Sequence, residues 1–133
     1  MEDIKLNGDA SVKKYEEQFD KVKLDSLAVS QEEIAEALKL VPKSLYEAIV
    51  SAHKNIYKFH YSQKSVHNKV ETCPGVTCWQ KDIAIEKVGL YIPGGTAPLF
   101  STVLMLATPA KIAGCKDIVL CTPPDKNGKV NPA

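Results

Sequence analysis

The order of elements between residues 88 and 121 constrains the fold of this 133-residue chain more than any other feature. The segments are an apolar stretch, a glycine turn, a helical stretch and a second apolar stretch: Val88–Ile92, Pro93-Gly94-Gly95, Pro98–Gly114 and Ile118–Cys121. Strand, turn, helix and strand in this order form a βαβ unit, whose strands lie parallel and whose connection is normally right-handed. The sequence therefore predicts an α/β fold.

The helix of this unit has an end signal on each side and one internal break. Pro98 suits the first helical turn, and Gly114 suits the position just after the last turn. Pro109 should kink or split the helix, because proline lacks a backbone donor and clashes with the preceding turn. The strand Ile118–Cys121, which Pro123-Pro124 ends, has no polar face and needs cover on both sides. We therefore expect the sheet, and the polypeptide, to continue beyond this chain.

Helical periodicity dominates the first half of the chain. Three segments carry apolar residues at helical spacing, with Asp9 as the cap of the first and Ser30 and Glu33 as a capping box for the second. Pro42 separates the second segment from the third. The predicted buried stripes are Val12, Tyr15, Phe19 and Val22; Ile34, Leu38 and Val41; and Leu45, Ile49, Ala52, Ile56 and Phe59.

The pattern changes near residue 69. Two short extended segments flank a turn at Pro74-Gly75, and Ile83 and Ile85 then follow with the alternation of a strand. We therefore predict an N-terminal helical segment over residues 1–68 and the start of an α/β domain over residues 69–133.

Composition and charge exclude several functional classes. The formal net charge is +1 without a basic stripe, no apolar run is long enough for a membrane span, and no signal sequence is visible. The four cysteines form no C-x-x-C pair and are interpreted as free thiols, so no metal site is predicted. These patterns favour a cytoplasmic protein that binds neither nucleic acid nor membrane.

The turn at Pro93-Gly94-Gly95 is the candidate ligand site. Glycine permits positive φ and close approach to the backbone, and the following helix presents unpaired N–H groups at the positive end of its dipole. Ligands of open α/β sheets bind at the carboxyl ends of the strands. The spacing is not the G-x-G-x-x-G of the common dinucleotide motif, so the residues alone leave ligand binding and a plain structural turn open.

A longer block around this turn resembles one family, the histidinol dehydrogenases. The matching residues are Tyr91-Ile92-Pro93-Gly94-Gly95-Thr96-Ala97-Pro98-Leu99, Ser101–Met105 and Pro109–Gly114, with Gly8-Asp9, Tyr15, Phe19-Asp20, Ile56, Phe59-His60, Gln63 and Pro74-Gly75-Val76 upstream. The resemblance covers essentially the whole chain and indicates an N-terminal fragment of such an enzyme. Asn7 departs from it, since a basic residue is expected there.

The resemblance implies NAD-dependent oxidation of L-histidinol to L-histidine through histidinaldehyde, the last step of histidine biosynthesis. It also implies a zinc-containing homodimer with a Rossmann-like fold akin to that of aldehyde dehydrogenases, in which residues 69–133 begin the cofactor-binding domain. The family's zinc ligands and its Glu-His general-base pair lie downstream of this segment. We therefore expect this chain to hold no catalytic residue and no metal ligand, and to be inactive alone.

The resemblance also names candidate contacts in this chain. The Tyr91 ring can stack on adenine or ribose, with Pro93 as the opposite flat surface. Phe19 either lines the same pocket or packs in the core of the first helix, and Ser101 either faces the substrate or lies on the helix surface. Candidate cofactor contacts are Tyr91, Pro93, Gly94, Gly95 and Phe19, and candidate substrate contacts are Thr96 and Ser101.

Two other functions stay open on the sequence. One is a different aldehyde-dehydrogenase-like enzyme that oxidises another amino alcohol. The other is a small non-catalytic α/β module used for oligomerisation. Downstream zinc and imidazole-binding residues would separate the first from histidinol dehydrogenase, and the length of the parent reading frame would separate the second.

Overall fold

A computed structural model describes residues 1–94 and 99–133 of the chain. Helices come first, followed by a hairpin and then by a strand, a helix and a strand. The elements are α1 Glu2–Asn7, α2 Asp9–Phe19, α3 Gln31–Leu40, α4 Lys43–Ser62, β1 Val70–Cys73, β2 Val76–Cys78, β3 Lys87–Tyr91, α5 Phe100–Ala113 and β4 Asp117–Cys121. The predicted mixed α/β architecture is confirmed, with small sheets.

The first predicted helical segment forms α2, and a helix that the sequence did not predict, α1, precedes it across a turn at Gly8. Gly8 has φ 53° and is the N-cap of α2, with no capping side chain. The prediction that Asp9 caps this helix is therefore wrong, since Asp9 is its first residue. Glycine adopts positive φ without the steric cost that a side chain brings, so the break falls there.

The Asp3 carboxylate ties α1 to α2. Its oxygens accept hydrogen bonds from Asn7 Nδ2 at 2.7 Å and from the Tyr15 hydroxyl at 3.0 Å. These bonds favour the charged carboxylate, the Asn7 bond most of all, and lower the pKa of Asp3 from 3.8 to about 2. Because the folded pKa is depressed, the stabilisation is present above the ordinary pKa and is lost as pH falls toward 2.

We expect Tyr15→Phe to raise the pKa of Asp3 toward its ordinary value, because the variant removes one donor to the charged carboxylate. The titration of the Asp3 carboxyl carbon, followed by NMR, measures this shift. Tyr46→Phe is the matched control, since the Tyr46 hydroxyl on α4 makes no hydrogen bond to Asp3. An Asp3 titration that Tyr15→Phe leaves unchanged would contradict this account of the α1–α2 contact.

The hairpin forms as predicted, but the segment after it does not. β1 and β2 pair antiparallel around the turn at Pro74-Gly75, where Gly75 has φ 81°. Ile83 and Ile85 lie in no strand and are exposed, so the prediction of a strand there is wrong. Alternation alone does not make a strand, because a strand also needs a neighbour for its backbone groups.

The βαβ unit is confirmed as a parallel pair. β3 and β4 pair in register from Lys87 opposite Asp117 to Tyr91 opposite Cys121. The helix between them, α5, packs on α4 and is followed by its C-cap Gly114, which has φ 90°. The sequence predicts that Pro109 kinks or splits this helix, and the split does not occur, because α5 is one helix from Phe100 to Ala113. Pro109 removes one backbone hydrogen bond, and the helix continues past that gap to Ala113.

Much apolar surface stays open. The accessible surface is 10711 Å², whereas a compact monomer of this mass has about 6,900 Å². Val22 and Ile92 are the buried hydrophobic residues of the described ranges, and the predicted buried stripe of α3 is open, with Ile34 45% and Leu38 68% exposed. The chain therefore carries faces suited to packing against further protein. None of the helices in the described ranges is long and apolar enough to cross a membrane.

Candidate functional site

A groove of about 710 Å³ lies at the carboxyl ends of β3 and β4. Ile92 follows β3 directly, is only 4% exposed and lines this groove. Its backbone N–H donates to the Cys121 carbonyl at 2.9 Å, which extends the β3–β4 pairing by one residue. The volume is that of small-molecule sites, and the position is where open α/β sheets bind ligands.

Three further segments complete the lining of the groove. They are α3 with the loop just before it, the beginning of α5, and the end of β4 with the chain that follows it. Most of the side chains that these segments contribute are apolar: Val29, Ile34, Ala37, Leu38 and Leu40; Leu99, Phe100 and Val103; and Leu120, Pro123, Pro124, Val130 and Pro132. Such a lining suits the flat face of a base or another apolar ring.

An ion pair joins two of these segments. Lys129 Nζ lies 3.2 Å from Glu33 Oε1, which ties α3 to the loop after β4. A hydrogen bond from the Ser30 backbone, followed by the contact with Lys129, holds the pKa of Glu33 below its usual value. Asp125 closes the loop by accepting from the backbone N–H groups of Asn127 at 2.8 Å and Lys129 at 2.9 Å. Those bonds, the one from Lys129 first, lower the pKa of Asp125.

The same N-terminal end of α3 carries the predicted capping box, which is confirmed. Ser30 Oγ accepts from the Glu33 N–H at 3.2 Å, and Glu33 Oε2 accepts from the Ser30 N–H at 3.1 Å. Glu33 therefore uses one carboxylate oxygen to begin the helix and the other to bind Lys129. This arrangement fixes the end of the α3 wall.

Helix α5 begins at the edge of the groove. Leu99 is its N-cap and makes no capping hydrogen bond through its side chain. Leu99 and Phe100 line the groove, so the first turn of α5 lies beside it. The N–H groups and positive dipole end of such a turn favour an anionic or polar ligand group.

The structure brings only some of the predicted contacts to this groove. Pro93 and Gly94 line it. Tyr91 ends β3 opposite Cys121, is 64% exposed and is not among the described residues that line the groove. Gly95 and Thr96 lie outside the described residues.

Two more candidates lie away from the groove lining. Phe19 is 69% exposed at the end of α2 and stacks on Tyr15, with ring centroids 6.0 Å apart. Phe19 is therefore not packed in a core within this chain, since most of its ring is open. Ser101 is exposed in the first turn of α5 and is not among the described lining residues.

Sequence reasoning missed two sides of the groove. The stripe of α3 has the pattern of a buried helix face, and Pro123-Pro124 has the pattern of a strand end, so neither signals a groove. The Lys129–Glu33 pair joins residues 96 positions apart, and no local pattern signals it. The position of the turn after β3 was the part that could be predicted, because strand ends and glycine turns are local features.

The described residues do not fit a metal ion. Nowhere in residues 1–94 and 99–133 do three or more histidine, cysteine or acidic side chains group closely enough to hold one. His67 binds Asp82 at 2.8 Å, and His60 Nδ1 lies 2.8 Å from Gln63 Oε1, so both rings have protein partners.

Comparisons with known proteins agree on one family. A sequence model described as "Histidinol dehydrogenase" matches residues 1–133. The chain is 66% identical over 130 residues to a histidinol dehydrogenase of Bacteroides fragilis, covering 98% of this chain and 30% of that protein. It is 52% identical over 124 residues to that of Escherichia coli, covering 93% of this chain and 29% of that protein.

A solved structure gives the same result for the fold. The crystal structure of histidinol dehydrogenase from Elizabethkingia anophelis matches with a TM-score of 0.94 and 53% sequence identity. The match covers 98% of this chain and 30% of that one. The chain therefore spans about 30% of the length of the relatives it matches.

Proposed function

The chain belongs to the histidinol dehydrogenase family, and on that premise we propose that it is the N-terminal part of an enzyme that oxidises L-histidinol to L-histidine with NAD. The reaction passes through histidinaldehyde and completes histidine biosynthesis in the cytoplasm. The enzyme is a zinc-containing homodimer. The observation that carries the proposal is the family match over residues 1–133, which favours it over a different amino-alcohol oxidase and over a non-catalytic module.

The role of this chain in the reaction is to bind and orient the dinucleotide. When bound, the nicotinamide ring of NAD accepts the hydride. A parallel strand pair joined by a helix is the repeating unit of Rossmann-like and aldehyde-dehydrogenase-like domains, and it supports residues 69–133 as the start of such a domain. The apolar groove at its carboxyl edge fits a flat ring, and the first turn of α5 fits a phosphate or hydroxyl group.

Individual residues take the roles that the family resemblance gives them. Pro93 and Gly94, which line the groove, form the surface against which the dinucleotide lies. Tyr91 reaches the same ligand from the end of β3, where its exposed ring is free to stack. Phe19 and Gly95 are further cofactor contacts, and Thr96 and Ser101 contact the substrate.

The proton chemistry and the zinc site belong to other parts of the polypeptide. The family resemblance assigns the zinc ligands to the remainder of the enzyme. The Glu-His general-base pair is also assigned to the remainder of the enzyme. This chain therefore supplies binding and orientation, while the remainder abstracts the protons.

The test of the function is the product balance of the intact protein. We expect the intact protein, supplied with L-histidinol and NAD, to form two NADH for each L-histidine, because alcohol and aldehyde are oxidised in turn. NADH absorbance and histidine by chromatography measure this ratio. An intact protein that leaves L-histidinol unchanged and oxidises another amino alcohol would contradict the proposal.

A further inference from the structure

The turns that follow β3 and β4 meet at Gly94 and Pro123. A methyl group on Gly94 would lie 2.6 Å from Pro123 Cγ and 3.6 Å from Pro123 Cβ and Cδ. Carbon atoms in good contact are about 3.5–4.0 Å apart, so the first distance is a severe overlap. The pyrrolidine ring therefore lies directly on the backbone of Gly94.

Backbone conformation does not explain the glycine at position 94. Gly94 does not have positive φ, in contrast to Gly8, Gly75, Gly114 and Gly128. An alanine at this position meets no backbone penalty of that kind, and the neighbouring proline ring is the obstacle. Pro123 makes a close approach to this glycine that any larger residue would obstruct.

Both residues line the groove, and both have a restricted position. Pro123 has a fixed φ, is followed by Pro124, and comes two residues after Cys121, whose carbonyl accepts from Ile92. The corner Pro93-Gly94 is thus confined between the buried Ile92 and the proline ring. Because the Pro123 ring lies on Gly94, it also limits the orientation of the adjacent Pro93 ring.

We propose that Pro123 is a positioning residue of the groove: its ring, seated on Gly94, fixes the corner Pro93-Gly94 in the shape that accepts the dinucleotide. Pro123 acts through Gly94 and not through contact with the reacting atoms. The proposal rests on the proposed function for its cofactor part, and on the Gly94–Pro123 contact for its structural part. The two parts can be tested separately in the intact protein.

The structural part is tested by four variants of the intact protein: Gly94→Ala, Pro123→Ala, the double variant and Gly89→Ala. Gly89 is the matched control, because it is a glycine of β3 without positive φ and with no atom within 4 Å of an added Cβ. We expect Gly94→Ala to lower Tm by about 2 °C or more. The decrease in Tm caused by Gly94→Ala should be smaller in the Pro123→Ala background, where the overlapping Cγ is gone. Gly89→Ala should lower Tm by less than Gly94→Ala does. An equal loss in both backgrounds would overturn the contact as the reason for the glycine.

The cofactor part is tested by calorimetric titration of NAD into the same proteins. We expect Pro123→Ala to raise the Kd for NAD about fivefold and the KM for NAD in parallel, with kcat within about twofold of the wild type. If the effect of Gly94→Ala on Tm depends on Pro123 but Pro123→Ala leaves the Kd for NAD unchanged, Pro123 is a purely structural residue. That result would overturn its positioning role. A wild-type intact protein that binds no NAD would overturn the proposed function itself. The Tm values of the four variants would still show whether the Gly94–Pro123 contact is the reason for the glycine.

Discussion

The 133-residue chain alone is expected to form no NADH from L-histidinol, with or without added zinc, under conditions in which the intact enzyme turns over. The physical reason is that binding and orientation alone do not move the protons. Acid–base catalysis by a positioned side chain contributes about 10²–10⁴-fold, and the proposed zinc would contribute further. Both groups are assigned to the part of the enzyme outside this chain. NADH absorbance compares the rate of the chain alone with that of the intact enzyme.

The matched control for this experiment is the intact enzyme with its Glu-His pair replaced. That variant keeps residues 1–133 packed against the remainder, so it separates loss of chemistry from loss of folding. We expect it to bind NAD and to form no NADH. Turnover by the 133-residue chain alone would contradict the assignment, because it would place catalytic residues within this segment.

Tyr91→Ala in the intact enzyme is expected to raise the KM for NAD about tenfold more than the KM for L-histidinol. Stacking of a base on an aromatic ring contributes about 1–3 kcal/mol, and about 1.4 kcal/mol is tenfold in affinity. Tyr91→Phe keeps the ring and should retain most of the affinity. Steady-state kinetics with each substrate varied in turn measures both constants.

The control for Tyr91 is another exposed tyrosine, Tyr46 on α4, and Tyr46→Ala should leave both KM values unchanged. Equal increases for NAD and L-histidinol in Tyr91→Ala, or a larger increase for L-histidinol, would remove Tyr91 from the cofactor site. The outcome matters because Pro93 and Gly94 line the groove and Tyr91 is not among its described lining residues. The experiment therefore asks how far the site extends along β3.

Features that depend on a few neighbouring residues could be predicted from the sequence. The capping box of Ser30 and Glu33, the turn at Gly75 and the helix end at Gly114 all formed as expected. The parallel pairing of β3 with β4 followed from the order of elements, since a helical connection brings two strands side by side in the same direction.

Features that depend on distant partners could not be predicted. Ile83 and Ile85 alternate but have no neighbouring strand, and Pro109 lies within a helix that continues through it. Leu38 has the spacing of a buried residue and is open in this chain. In each case, the outcome is decided by what packs against the segment, which a local pattern does not contain.

The candidate site likewise has features that could be predicted from the sequence and features that could not. Its position at the end of β3 followed from the glycine turn and the strand order, and Pro93 and Gly94 do line the groove. The wall from α3, its tie through Glu33 and Lys129, and the seat of Pro123 on Gly94 come from contacts across the chain. Such contacts determine the shape of a site, and only the folded chain brings them together.

The central claim is that the groove at the carboxyl ends of β3 and β4 holds the dinucleotide. A crystal structure of the intact enzyme with bound NAD tests it most directly. We predict that the dinucleotide lies in van der Waals contact with Pro93 and Gly94 in this groove. A dinucleotide bound elsewhere, with the groove filled by protein, would contradict it.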